Sequence, residues 1–100
     1  LASVSVVSSL GMFDRAAERF NSSEAARTVA GLTRTLGDPR VSIGAVAGAP
    51  GAARVTVAWE LGWYQWAVGG GGQPVAELAQ GTEIGQLDAA ARQWNAEWRS

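Results

Sequence analysis

The stretch from Arg54 to Val68, RVTVAWELGWYQWAV, alternates apolar with polar or small residues and sets three of the chain's five tryptophans and its only tyrosine within eight positions. Side chains alternate across a β-strand, so such a pattern demands a sheet with at least one apolar face that something else must cover. What Gly62 does decides the faces. If Leu61-Gly62 is a two-residue turn, Glu60 pairs with Trp63 and Trp59 lies near Tyr64. If instead one long strand runs from about 54 to 68, a bulge at Gly62 shifts the phase by one residue. Both arrangements sort Val55, Val57, Trp59, Tyr64, Trp66 and Val68 onto one face. The long bulged strand is preferred, because leucine suits the positive φ of a tight hairpin turn poorly. A strand without a bulge would divide these residues between two faces and require a sheet covered on both sides.

The remaining elements follow from periodicity. Ser3 to Val6 alternates as a short strand does, giving about 3–7, although Val4, Val7 and Leu10 fit a backward extension of the next helix equally well. Leu10, Phe13, Ala17 and Phe20 recur at helical spacing over about 9–20. Ala25, Val29, Leu32 and Leu36 define a second helix over about 22–36, with Asn21 as its cap and Glu24 completing a capping box, Ser22 and Ser23 as alternative caps, and Gly37 and Pro39 as its stop. Residues 41–47 and 54–60 read as an antiparallel hairpin. The glycines at 69–72 lead into another strand over about 74–79, which Pro74 marks as an edge. Ile84, Leu87, Ala91, Trp94 and Trp98 are spaced three, four, three and four, predicting a third helix over about 84–98 with an Asp88–Arg92 pair on its outer side.

Residues 1–100 therefore predict a single α+β domain, a two-layer sandwich of three to four antiparallel strands packed by three helices. One hundred residues, 47% hydrophobic and 17% charged with a net charge of −1, suffice for one core and leave little charge to oppose self-association.

Several functions are disfavoured by what the chain lacks. There is no histidine and no cysteine, so the usual general base, thiolate nucleophiles and the commonest metal ligands are missing. No metal-ligand spacing is present, and no cofactor is expected. The glycines at 69–72 are followed by a strand pattern rather than by the helix that a phosphate cradle needs. Of the nine carboxylates, only Glu60 and Glu77 fall in expected strands, where solvated positions outnumber catalytic ones. All eight basic residues are scattered arginines, which gives nucleic acid no stripe to follow. Arginine without lysine, together with abundant Ala, Gly and Val, reads as the codon bias of a high-GC bacterial genome. No apolar run is long enough to span a bilayer, and LASVSVVSSL lacks the features of a secretory leader, so a cytoplasmic setting is expected.

Two functional expectations result. The first is a non-enzymatic protein–protein interaction module, most simply a homodimer, using the mixed face that carries Trp63, Glu60 and Gln65 or an exposed edge at Val75–Ala79. The second is a carrier for an apolar or planar small molecule in a pocket lined by Trp59, Tyr64, Trp66, Trp94 and Trp98. The ordinary reading of these last aromatics is core.

Overall fold

A computed structural model describes residues 2–6, 11–69 and 74–99. In chain order the elements are β1 (Ser3–Val6), α1 (Asp14–Asn21), α2 (Glu24–Leu36), β2 (Arg40–Ala45), β3 (Ala53–Trp59), β4 (Gly62–Val68), β5 (Val75–Gly81) and β6 (Ala96–Arg99). The fold is α+β, as the periodicities predict. Among the described residues its sheet has six strands, more than the three to four expected, in the order β1-β6-β2-β3-β4-β5, every neighbouring pair antiparallel.

The aromatic stretch is a hairpin, not the long bulged strand. Trp59 pairs with Gly62, Ala58 with Trp63 and Val57 with Tyr64, so Glu60 and Leu61 form the turn, one position earlier than the Leu61-Gly62 alternative. Gly62 takes up a strand position against the carbonyl of Gly81, where an added Cβ would lie 3.2 Å from the oxygen. The face assignment survives this change. Val55, Val57, Trp59, Trp66 and Val68 are buried on one face with Val41, Ile43, Ala96 and Trp98, and α1 and α2 cover them with Ala17, Phe20, Ala25, Ala26 and Val29. Phe20 meets Trp66 edge-on at 5.4 Å between ring centroids, Tyr64 stacks on Trp66 at 5.7 Å, and Trp59 meets Tyr64 edge-on at 6.3 Å. Such offset and perpendicular contacts match the ring quadrupoles and fill volume that the many alanines leave open.

The helices depart from expectation at their ends. Among the described residues α1 begins at Asp14 rather than near Ser9; residues 7–10 lie outside them. Ser23, not Asn21, precedes α2, and its hydroxyl donates to the Phe20 carbonyl instead of capping. Asn21 ends α1 and has a different task. Its Oδ1 accepts from the Val4 N–H at 2.8 Å and its Nδ2 donates to the Val4 carbonyl at 3.0 Å. An amide side chain thus imitates one rung of a β-ladder on the outer edge of β1.

The largest correction concerns residues 84–98, which contain no α-helix. They form two 3₁₀ turns, Ile84–Gln86 and Ala90–Arg92, followed by β6. β6 inserts between β1 and β2, pairing Val4 with Trp98 and Val41 with Ala96. Beyond Ala96 the ladder is continued by a side chain again: Asn95 accepts from the Ile43 N–H and donates to the Ile43 carbonyl, both at 2.8 Å. The connector 82–95 therefore has to cross from β5, at one edge, to β2, and it does so over the face the helices leave bare. Ile84, Leu87, Ala91 and Trp94 still point at the sheet, but at its second face, where they pack with Ala58, Trp63 and Ala79. The sheet is covered on both sides, although not by the helices expected to do it.

Candidate functional site

The second face shows what becomes of the expected partner surface. Trp63 is only 7% exposed, because the connector lies over it, and its indole N–H donates to the Glu83 carbonyl at 2.9 Å. Glu83 and Gln86 form a reciprocal capping pair that fixes this carbonyl at the start of the first 3₁₀ turn. Gly81, opposite Trp63 in the ladder, admits the ring: a Cβ there would sit 2.5 Å from the indole. Gln65 is buried as well and donates to the Thr56 hydroxyl at 3.1 Å. Trp63 and Gln65 are thus spent inside the chain. Glu60 alone of the three is exposed, on the β3–β4 turn beside Leu61, which is 77% exposed.

The expected aromatic pocket does not assemble from its five members. Trp59, Trp66 and Trp98 are buried with half-buried Tyr64 in the helix-covered core, whereas Trp94 lies on the opposite face. Trp59 donates to the Gly37 carbonyl at 2.8 Å, tying the end of α2 to the sheet. Trp94 has a φ of 47°, a left-handed backbone unusual for a bulky residue. Its N–H donates to the Ser42 hydroxyl, and the Arg40 guanidinium sits over its ring at 4.5 Å. These contacts offset the backbone strain and turn the chain from the connector into β6.

The connector is also tied electrostatically. Both carboxylate oxygens of Asp88 accept from Arg54, at 2.8 and 3.2 Å, and Oδ1 additionally accepts from the Ala91 N–H. The Arg54 hydrogen bond, then the Ala91 N–H, hold the Asp88 carboxyl below the ordinary aspartate range. The expected Asp88–Arg92 pair is replaced by this long-range one.

Neither a protein family, nor a curated protein, nor a solved structure matches the chain. Any site has to be read from its own surface.

Two clefts stand out there, at opposite ends of the β3–β4 hairpin. Near the Glu60–Leu61 turn, a cleft of about 520 Å³ is lined by Leu36, Arg40 and Ile84 together with the carboxylate-bearing residues Asp38, Glu60 and Glu83. No group of His, Cys, Asp and Glu suited to a metal ion occurs among the described residues. At the other end, a cleft of about 660 Å³ opens between the start of α1 and the sheet, lined by Met12, Phe13, Ala16, Ala45, Ala53 and Val68, with Arg15 and Arg19 as its charged members. Met12 is 74% exposed at its mouth. Sequence patterning could not show this cleft, since it depends on how the β2–β3 loop meets α1. The strongest available signal was Met12 itself, an apolar side chain that the helical stripe does not use.

The sheet edges differ from each other. β1 is capped by Asn21 at Val4. β5 is open but interrupted: its register against β4 shifts between Gln65 and Trp66, leaving Leu78 without a partner and exposed. A bulge of this kind twists an edge away from continuous pairing with another strand.

Proposed function

We propose that the chain is a small non-enzymatic interaction module that associates with further copies of itself. The observation that carries this reading is the apolar cleft at Met12, Phe13, Ala16, Ala45, Ala53 and Val68, open to solvent in a chain that buries four of its five tryptophans. An apolar concavity left open at the surface gains free energy when an apolar group excludes its water. The composition supports a binding rather than a catalytic role for it. The chain has no histidine or cysteine, and the cleft's described lining includes no carboxylate to act as acid or base. A net charge of −1 offers little repulsion between copies.

Sedimentation equilibrium of the native chain over a wide micromolar range tests the reading. The expected result is an average mass that rises with concentration. A constant monomer mass rejects self-association.

A further inference from the structure

We infer that the copies associate head to tail, the Glu60–Leu61 turn of one chain seating in the Met12–Ala16 cleft of the next; the inference rests on the self-association proposed above and identifies the occupant of the same cleft. The turn has the shape of a plug. Leu61 projects from a tight hairpin turn with 77% of its surface exposed, and Glu60 beside it is exposed as well. The cleft has the complementary chemistry: an apolar floor, with Arg15 and Arg19 among its lining residues and no carboxylate among the described ones. Leucine entering the cleft would lose its hydration against Met12, Ala16 and Val68, while the Glu60 carboxylate comes to the arginine side. Charge complementarity extends beyond the turn, since Asp38 and Glu83 share the Glu60 end of the molecule and a single arginine, Arg40, lines the cleft there.

The geometry forbids one chain from satisfying itself. β3 runs from Ala53, which lines the apolar cleft, to Trp59, next to the turn. A seven-residue strand separates plug from cleft by about 20 Å. Donor and acceptor are different patches at opposite ends of one molecule, so copies stacked head to tail make a heterologous contact whose repetition gives a ring or an open chain of subunits.

This asymmetry supplies a direct test. Leu61→Asp removes the plug, and the double variant Met12→Asp with Arg15→Glu removes the cleft's mouth; all three positions are exposed, and circular dichroism verifies that each variant folds. Each variant alone is expected to be monomeric where the native chain forms assemblies larger than a dimer. Mixed together, they are expected to form a heterodimer and stop there, because the Leu61→Asp chain keeps a cleft and the other keeps a plug. A native dimer that both variants leave intact overturns the head-to-tail contact while sparing self-association. A monomeric native chain overturns both. A mixture that remains monomeric at concentrations where the native chain assembles overturns the pairing of plug with cleft. Glu60→Arg is expected to weaken native assembly by at least about tenfold, and an unchanged association constant overturns the role given to the arginines.

Discussion

At the scale of single residues, the molecule brings together two tryptophans that the sequence assigns to different surfaces, and then distinguishes them by burial. Trp63 and Trp94 both face the second side of the sheet, yet one is sealed and the other is half-exposed. Trp63 has its ring against Gly81 and its N–H on the Glu83 carbonyl. Trp63→Ala is therefore expected to cost about 3–5 kcal/mol, as removal of a packed aromatic does. Trp94→Ala removes a half-buried ring and one cation–π contact, for a loss of about 1–2 kcal/mol. Urea denaturation of the two variants checks the order. Equal losses would mean that Trp94 does more than hold the Arg40 contact and the bend into β6. The helical spacing of Ile84, Leu87, Ala91 and Trp94 shows which residues face the sheet, but not that 3₁₀ turns would present them.

Among the elements, the connector 82–95 has the least regular structure and depends most on side chains for its position. Its longest-range charged tie is Asp88 to Arg54, and the sign of its pH dependence follows from the lowered carboxyl of Asp88. A carboxyl depressed by folding contributes stability that is present above the unfolded value, about 3.9, and is lost as pH falls through the folded value. The native chain should therefore exceed Asp88→Asn in stability by a constant margin near neutrality, and the margin should close below about pH 4. Paired denaturation curves across acid pH measure this; a margin unchanged down to the acid limit would assign the tie to hydrogen bonding without charge. Asparagine keeps an acceptor for the Ala91 N–H, so the comparison isolates the ionised form. Added salt should narrow the margin, since Asp88 is largely exposed.

The elements that were legible and those that were not differ in one physical respect. Alternation from Val55 to Val68 names the residues of each face although the expected long bulged strand is a hairpin, because a two-residue turn and a one-residue bulge shift the alternation alike. The second helix is legible from its own 3.6-residue period, with Ala25 and Val29 buried and the stripe closed by Gly37. Residues 84–98 were misread because Trp94 and Trp98, four apart as on a helix, point to opposite faces of the sheet. The alternation of Ala96 and Trp98 with Glu97 and Arg99 is a strand signal only four residues long. What selects it is non-local: vacant backbone positions on β1 and β2, with Asn95 extending the ladder at Ile43. The apolar cleft was illegible throughout, because it belongs to the meeting of a loop with a helix end rather than to any period.

For the whole molecule, the insertion of β6 makes the last strand a structural centre. Among the described residues β1 pairs with no strand but β6, so its place in the sheet depends on β6, on the Asn21 clamp and on contact with α1. Removing residues 96–100 would take away Ala96 and Trp98 from the helix-covered core and leave Val4 and Val41 without their partners across β6. Loss of the Trp98 indole alone is worth about 3–5 kcal/mol, a large part of the roughly 5–15 kcal/mol that stabilises an ordinary domain. The freed ladder groups of β1 and β2 add to this. A chain ending at Asn95 is therefore expected to lose cooperative unfolding and amide chemical-shift dispersion. Trp98→Ala in the intact chain keeps the β6 backbone and should still melt cooperatively, at a lower denaturant midpoint. Were the truncated chain to keep a sharp transition, β1 and β6 would be a satellite on a four-stranded sheet that folds without them, and the two asparagine clamps would be ornaments of that satellite rather than part of the frame.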